Sequence, residues 1–380
     1  METHLTSTKV VTPLADSTRI VIKIGSALLV DENTGELRRK WLAGLADDIS
    51  ALRAKGKQVL IVSSGAIALG SRHLEIQISS LKLEEKQAAA ATGQIRLAHA
   101  YEDALARHNI TVAQILLSPE DTEQRRRHLN ARATIMTLLS LNVVPIINEN
   151  DTVTTKEIRF GDNDRLGARV AQMVSADTLL LLSDVDGLYD RDPQTDEQAQ
   201  HIPFVKEITS AIEDMAGVAR TGYSSGGMVT KLAAARIATN AGCQMAIVAG
   251  KKLNPISSIY KGARCTWFEA SSTPRGARKS WIASAINPCG AIYIDEGAIT
   301  AIKNGRSLLP AGIVSILGDF DRGDLVTVHG EDKKEVARGL AAYSSHDTQM
   351  IKGHKSADIK NILGYRGRDE LIHRDDLVLI

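Results

Sequence analysis

The sequence predicts an α/β protein, a three-layer αβα sandwich around a mainly parallel sheet, followed by a small β-rich domain. Short runs rich in β-branched residues and leucine alternate with longer alanine-rich amphipathic stretches, which is typical of βαβ units around a parallel sheet. The length of 380 residues is too great for one ordinary hydrophobic core and short for three, so two domains are expected.

The first two-thirds of the chain contain six segments with the length and composition of buried strands. The predicted strands are Arg19–Ile24, Gln58–Val62, Thr111–Leu116, Val143–Ile147, Thr178–Leu182 and Gln244–Val248. The helices predicted between them are Leu37–Lys55, Glu84–His108, Arg126–Leu139, Asp164–Val174 and Met228–Ala241. Each helix is long enough to cross one face of the sheet. Residues 17–270 are therefore predicted to form one α/β domain.

A polar segment, residues 271–282, separates this domain from the rest of the chain. It contains SSTPRGARKS, which is basic and includes Pro274 and Gly276, a composition typical of a linker. Beyond it, short apolar segments are separated by glycine-bearing turns, and residues 283–380 are therefore predicted to form a small β-rich domain. Its predicted strands and short helices are Ile313–Leu317, Leu325–Val328, Val336–Ala342, Gly297–Lys303 and Asp358–Leu363.

Composition argues against several classes of function. The 46 Lys and Arg residues nearly cancel the 45 Asp and Glu residues, so no uniform field draws the protein onto nucleic acid or an anionic membrane. Cys243, Cys265 and Cys289 have no C-x-x-C spacing, which argues against a disulfide framework or a zinc site. The segment Met1–Thr18 is polar, and no apolar run approaches the roughly 20 residues of a membrane span. We therefore expect a cytoplasmic protein.

Open α/β sheets bind ligands at the carboxyl ends of their strands, so the residues after each strand are candidates for the site. Lys23 leaves the first strand close to Gly25, and a glycine there lets a phosphate approach the backbone. Ser64 follows the second strand, where the start of a helix leaves N–H groups for an anion. Further candidates follow later strands or open later helices: Asn148, Asp151, Asn163, Asp164, Ser183, Asp184 and the segment Gly226–Lys231.

These loops together predict phosphoryl transfer. Lysines at loop mouths, glycine-rich anion loops and a cluster of carboxylates and carboxamides suit a reaction that depends on positioning and charge neutralisation. Neither G-x-x-x-x-G-K-[ST] nor G-x-G-x-x-G is present, so a P-loop or a Rossmann site lacks its main support. The loops contain no histidine, which favours a carboxylate acceptor, since a carboxylate with a pKa near ~4 is already ionised at neutral pH.

Six motifs resemble, in order, those of the amino-acid kinase family, and within it those of the glutamate 5-kinase branch, which begins proline biosynthesis. They are VIKIGSALL (21–29), VSSGAIALG (62–70), PIINENDTV (145–153), FGDNDRLGA (160–168), LLSDVDGLYDRDP (181–193) and GGMVTKLAAA (226–235). The tail resembles the PUA domain of many bacterial members through DEGAITAIKNGRSLLPAGI (295–313), GDFDRGD (318–324) and IHRDDLV (372–378). The resemblance extends over almost the whole chain.

The resemblance implies a transferase that uses ATP, with Mg²⁺ bound together with the nucleotide, to phosphorylate the side-chain carboxylate of L-glutamate. Lys23 and Lys231 would be the catalytic cations, and Asp164 would hold both lysines in place. Glutamate would be bound by Ser64, Asp151 and Asn163, with Asn148 and Asp162 close by. The nucleotide would be bound by Ser183, Asp184, Ser225, Gly226, Gly227, Met228, Val229, Thr230 and Lys231.

The same resemblance implies a homodimer or homotetramer that is inhibited by proline, and no dedicated metal site on the protein. Family members often carry threonine where this chain has Ser63 and Ser183. Both serines keep the hydroxyl group, so these departures are compatible with the resemblance.

Several of the candidate residues also have a simpler explanation. Lys23 alone could be a solvated lysine at the end of a strand. Lys231 could lie on the surface of an alanine-rich helix, although a cation near a helix start opposes the helix dipole and indicates an anionic partner. Asp151 and Asp164 could be turn and N-cap residues, and the segment Gly222–Gly227 could be a plain flexible loop.

Two other functions stay open. A kinase of the same fold could act on aspartate, N-acetylglutamate, carbamate or a nucleoside monophosphate, because fold alone does not select the substrate. The tail could also bind RNA, but the chain shows no evident stripe of Lys and Arg interleaved with aromatic residues. We therefore expect a structural or regulatory role for the tail.

Overall fold

A computed structural model describes residues 13–31, 34–77, 81–153, 163–216, 227–284 and 288–380. The chain divides into two compact units. The first unit comprises Met1–Glu123 and Ala131–Pro274, and the second comprises Gln124–Asn130 and Arg275–Ile380. No helix in the described ranges is both long and apolar enough to cross a membrane.

The first unit is built on an eight-stranded sheet. The strands of this sheet are β1 (Arg19–Ile24), β2 (Gln58–Ser63), β3 (Val112–Leu117), β4 (Val144–Glu149), β5 (Thr178–Ser183), β8 (Phe204–Val205), β9 (Gln244–Ala249) and β10 (Cys265–Phe268). Two further strands, β6 (Leu188–Tyr189) and β7 (His201–Ile202), form a separate two-stranded ribbon. The order across the sheet is β3-β4-β2-β1-β5-β9-β10-β8. All neighbouring strands run parallel except β9 and β10, so the predicted mainly parallel sheet is confirmed.

Helices cover both faces of this sheet. The helices of this unit are α1 (Pro13–Asp16), α2 (Ser26–Leu29), α3 (Arg39–Ala54), α4 (Ala66–His73), α5 (Leu83–Ala106), α6 (Pro119–Glu123), α7 (Arg125–Ser140), α8 (Asn163–Val174), α9 (Ser210–Asp214), α10 (Met228–Asn240) and α11 (Pro255–Tyr260). Of α7, only the part from Ala131 onward belongs to this unit. Ile20 and Ile22 of β1 enter a core shared with α3 and α5, whereas Val21 enters a second core shared with α8 and α10. This alternation is expected of a strand buried on both faces, and it confirms the three layers.

Helices α4 and α5 cross at two glycines. A β-carbon built on Gly93 would lie 1.8 Å from the carbonyl oxygen of Ala66, and one built on Gly70 would lie 1.7 Å from that of Ala89. Only residues without a side chain allow this approach, so the two glycines place α5 directly against the helix that follows β2.

The second unit contains a five-stranded sheet in the order β12-β11-β13-β14-β15. Its strands and helices are β11 (Gly290–Ile294), β12 (Ile313–Gly318), β13 (Leu325–His329), β14 (Glu335–Leu340), β15 (Leu377–Leu379), α13 (Glu296–Lys303), α14 (Ser345–Ile351) and α15 (Ile359–Leu363). Only β11 and β13 pair in parallel; the other neighbouring strands are antiparallel. The predicted β-rich character of the tail is confirmed.

A helix, α12 (Pro274–Ser284), covers most of the segment interpreted above as a linker. Proline suits the first position of a helix because that position needs no N–H donor. Within the second unit, Arg278 pairs with Asp376 at 2.6 Å, and Ile282 is fully buried. These contacts explain why a polar and basic segment is helical here. The proposed domain limits of 17–270 and 283–380 stay predictions.

Candidate active site

Two lysines and one aspartate meet at the carboxyl end of β1. Lys23 lies on β1, and its Nζ atom is 2.5 Å from Oδ1 of Asp164, the second residue of α8. Lys231 lies in the first turn of α10, and its Nζ atom is 3.1 Å from Oδ2 of the same carboxylate. Gly167, one turn along α8 from Asp164, would bring an added β-carbon within 3.3 Å of Lys23 Cβ, so the helix packs directly on the lysine stem.

All three side chains of this Lys–Asp–Lys cluster are buried, and the most exposed, Lys23, keeps only 7% of its surface. Burial would raise the pKa of Asp164, but the charges and hydrogen bonds of Lys23 and Lys231 outweigh it, so the pKa lies below its usual value. The carboxylate is therefore ionised at neutral pH. Two ammonium groups against one carboxylate leave a net positive charge in a region with little water, which favours an anionic ligand.

The loop after β2 carries Ser64 and turns through a left-handed residue. Gly65 has a φ of 104°, a conformation that favours glycine, and it immediately precedes α4. The backbone N–H of Ser64 donates to the carbonyl oxygen of Ile24 at 3.1 Å, which ties the loop to the end of β1. The loop is therefore held beside the strand that carries Lys23.

A buried tyrosine contacts the residue that precedes this loop. The hydroxyl groups of Tyr101 and Ser63 lie 2.9 Å apart, and the Ser63 hydroxyl donates to the carbonyl oxygen of Ser64. Burial raises the pKa of Tyr101 well above its usual value, despite an opposing hydrogen bond with Ser63. Tyr101 therefore stays protonated and can donate to Ser63.

Three amide side chains form a cluster, here called the amide cluster, beside the Ser64 loop: Asn163 at the start of α8, Asn148 in β4 and Gln94 on α5. Asn163 Nδ2 lies 2.7 Å from Ser64 Oγ, 2.9 Å from the carbonyl oxygen of Ser63 and 3.0 Å from Asn148 Oδ1. Asn148 is buried, and its Nδ2 donates to Gln94 Oε1 at 2.9 Å. The structure thus brings together Ser64, Asn148 and Asn163, three of the four predicted substrate residues.

Asp151, the fourth, lies half-exposed in the turn that follows β4. Asp162, which was expected nearby, falls outside the described ranges.

The residues expected to bind nucleotide lie after β5 and at the start of α10. Ser183 is buried at the end of β5, and its hydroxyl donates to Oδ1 of the exposed Asp184 at 2.9 Å. Thr230 donates to the carbonyl oxygen of Gly227, and its Oγ1 lies 3.4 Å from Asp164 Oδ2.

The start of α10 therefore touches the Lys–Asp–Lys cluster. Met228 and Val229 complete that turn, with the side chain of Val229 exposed. Ser225 and Gly226 fall outside the described ranges.

Gln94 and Tyr101 were not among the predicted site residues. Both lie on α5, seven positions apart, and both are buried. Buried polar side chains on the sheet-facing side of an otherwise alanine-rich helix are the signal that could have identified them, because such groups need partners.

The described residues contain no group of three or more His, Cys, Asp or Glu side chains placed to hold a metal ion. The donors around Asp164 are ammonium groups, which cannot coordinate a metal. A Mg²⁺ ion that arrives with a nucleotide would therefore be held mainly by phosphate oxygens and water rather than by these side chains.

Comparisons with known proteins identify the family of the chain. The profile of the amino acid kinase family matches residues 18–249, and that of the PUA domain matches residues 290–363. A protein from Paramagnetospirillum magneticum named glutamate 5-kinase is 59% identical over 367 residues, covering 97% of this chain and 99% of that protein. A protein of the same name from Rhodospirillum rubrum is 56% identical, covering 94% of this chain and 96% of its own length.

A third protein named glutamate 5-kinase, from Brucella abortus, is 57% identical and covers 96% of this chain and 97% of its own length. Among solved structures, the UMP kinase from Ureaplasma parvum matches 66% of this chain and 98% of that chain, at 18% identity and a TM-score of 0.47.

Proposed function

Because the chain belongs to the amino acid kinase family, and within it to the glutamate 5-kinases, we propose that it phosphorylates the side-chain carboxylate of L-glutamate with ATP. The products are L-glutamyl 5-phosphate and ADP, and the reaction is the first step of proline biosynthesis. The observation that carries this function is the similarity to glutamate 5-kinases over nearly the full length, at 56% to 59% identity.

The Lys–Asp–Lys cluster supports catalysis of phosphoryl transfer. In this proposal, a carboxylate oxygen of glutamate attacks the γ-phosphorus of ATP, and the bond from that phosphorus to the β,γ-bridging oxygen breaks as ADP leaves. Lys23 and Lys231 would stabilise the negative charge on the phosphoryl group as it moves. Asp164 would hold the two ammonium groups together, since without it they repel each other. The acceptor is already ionised, so no base is required.

The amide cluster and the α10 turn supply the two substrate sites of the proposal. Ser64, Asn163 and Asp151, with Asn148 beside them, would bind glutamate through its ammonium and carboxylate groups. Ser183, Asp184 and the segment from Ser225 to Lys231 would bind ATP. Mg²⁺, carried by the nucleotide, would supply charge neutralisation on the phosphate oxygens.

We further propose that the protein is a cytoplasmic homodimer or homotetramer that is inhibited by proline. The tail would act on the first unit by changing the relative stability of its conformations. The near balance of charges makes nucleic acid an unfavourable partner.

The deciding experiment measures ADP release across several acceptors in the presence of hydroxylamine, which converts an acyl phosphate into a hydroxamate. We expect a hydroxamate with L-glutamate and little or none with L-aspartate, N-acetylglutamate or carbamate. A signal with one of those acceptors and none with glutamate would exclude the proposed substrate while keeping the chain in its family.

A further inference from the structure

The hydrogen bonds that link Asn163, Asn148 and Gln94 have a direction, and the backbone sets it. Asn163 turns one end of its amide group toward the carbonyl oxygen of Ser63, at 2.9 Å. A carbonyl oxygen only accepts hydrogen bonds, so the end that faces it must be the NH₂ group. The orientation of the Asn163 amide group is therefore determined by its partner.

The orientation of Asn163 determines the orientations of the next two amides, Asn148 and Gln94. The same NH₂ group of Asn163 lies 3.0 Å from Asn148, which must present its oxygen there. Asn148 consequently turns its own NH₂ group toward Gln94, at 2.9 Å, and Gln94 must present Oε1 as the acceptor. The last group in this series of hydrogen-bonded amides is thus Gln94 Nε2, which can only donate.

Gln94 Nε2 is buried and has no hydrogen-bond partner in the described part of the chain. The whole side chain of Gln94 keeps 8% of its surface exposed. A buried donor without an acceptor is unfavourable for folding, and most native proteins contain only a few such groups. Only Asn148 separates Gln94 from Asn163, which in turn contacts Ser64; both Asn163 and Ser64 are half-exposed.

We propose that Gln94 is a further substrate-binding residue, whose Nε2 donates a hydrogen bond to a carboxylate oxygen of the amino-acid acceptor. This inference rests on the proposed function, in which Ser64 and Asn163 bind glutamate. The Gln94 NH₂ group can only donate, so it suits an anionic ligand. Its hydrogen bond to a carboxylate is stronger in buried surroundings that contain little water. Asn163 Oδ1 and Asp151 offer acceptors, which suit the ammonium group of the same substrate.

Two substitutions separate this role from a structural one. Gln94→Glu keeps an oxygen for Asn148 but replaces the free donor by a second carboxylate oxygen, which repels the substrate. Gln94→Met keeps the length of the side chain and removes both interactions. Gln172→Glu, the same change at an exposed position of α8, serves as the control.

We expect Gln94→Glu to raise the KM for glutamate by roughly tenfold to a hundredfold, the usual value of a hydrogen bond to a charged group. The KM for ATP should stay unchanged, and Gln94→Met should show a smaller rise. Burial and the substrate's charge raise the pKa of a new carboxyl group here. Lowering the pH should therefore restore an O–H donor and shrink the defect of Gln94→Glu relative to the wild type.

Protection of each variant by glutamate against thermal unfolding gives a second measurement that needs no turnover. A wild-type KM for glutamate in Gln94→Glu, or an equal loss for glutamate and ATP that does not depend on pH, would overturn the inference. If Gln94→Glu does not fold, a wild-type glutamate KM in Gln94→Met would overturn it. A wild-type protein that forms no hydroxamate from glutamate would instead count against the proposed function.

Discussion

The Nζ atom of Lys231 lies 3.1 Å from Oδ2 of Asp164, although the two residues are 67 positions apart in the chain. The other oxygen of this carboxylate pairs with Lys23. One buried aspartate on α8 therefore joins a lysine of the sheet to a lysine of α10, and the cluster depends on three separate elements of the fold.

Replacing either lysine by alanine should mainly slow turnover. Because the ammonium groups stabilise charge that develops in the transition state, Lys23→Ala and Lys231→Ala should each lower kcat by roughly a hundredfold or more, with smaller changes in KM. Steady-state kinetics with the hydroxamate assay test this. Lys261→Ala, at an exposed position, is the control, and near-normal turnover in a cluster variant would remove that lysine from catalysis.

Removing the carboxylate should weaken the fold as well as the reaction. Asp164→Asn leaves two buried ammonium groups without a counter-charge, and breaking a buried ion pair costs about 3–5 kcal/mol. Urea denaturation at neutral pH measures the free energy of unfolding, with Asp184→Asn, an exposed aspartate of the same unit, as the matched control. Equal stability of Asp164→Asn and the wild type would show that the lysines separate without cost.

The same aspartate predicts how stability depends on pH. Its pKa is lowered in the folded protein, so the unfolded chain binds the proton more readily. The stabilisation is present above the unfolded pKa of about 4 and is lost as the pH falls through the lower folded value. Unfolding curves of the wild type between neutral and acid pH should show this loss, and those of Asp164→Asn should show a shallower one.

Substitutions in the acceptor site should act on glutamate rather than on ATP. Asp151→Ala and Asn163→Ala remove groups suited to the ammonium and carboxylate of glutamate, so each should raise the KM for glutamate about tenfold or more. Initial rates measured while each substrate is varied in turn provide the test. A variant that lost affinity for ATP but kept its affinity for glutamate would contradict the assignment.

The helix crossing between α4 and α5 should not tolerate a methyl group. In Gly93→Ala the new β-carbon meets the backbone of Ala66, so we expect a loss of stability of about 3 kcal/mol or more. Gly297→Ala, a helical glycine of the second unit whose β-carbon would meet only the side chain of Asp295 at 3.3 Å, should change stability far less. Thermal unfolding of both variants tests this, and equal melting temperatures would contradict the expected clash.

A chain that ends at Ser272 should still phosphorylate glutamate. All ten strands of the first unit, both lysines and the amide cluster precede this point. Circular dichroism measures whether the truncated chain folds, and the hydroxamate assay measures its activity. Native-like folding without activity would show that the tail completes the site. Solubility, oligomeric state or proline sensitivity are the properties that we expect the truncation to change.

The sequence predicted the parallel strands well because each is a short apolar run bounded by polar loops. β1 agrees at both ends, and β2 and β5 are each longer by one serine at the carboxyl end. The antiparallel strand β10 was missed because Cys265–Phe268 is only four residues long, and because its pairing with the distant strand β8, through Trp267 and Phe204, forms only after folding. Helix α12 was missed because its polar composition is typical of a loop, and tertiary contacts decide its structure.

Some site residues could be predicted from local sequence patterns and others could not. Lys23, Ser64 and Asp164 stand next to glycines or at the ends of predicted elements, where local patterns indicate function. Gln94 and Tyr101 lie inside a helix whose pattern indicates only that it covers the sheet. Their importance depends on partners contributed by β2 and β4, and no local pattern can identify such partners.

The glycine pair at the α4–α5 crossing also limits how the gene can change. Every missense mutation of a glycine codon introduces a residue with a β-carbon, and at Gly70 or Gly93 that atom would meet a backbone carbonyl oxygen rather than a side chain that could turn away. Neither position can therefore accept a different amino acid without disturbing the helix crossing. A change at either one requires a second mutation that moves the helices apart, and that movement would displace the Ser64 loop, because α4 begins directly after it.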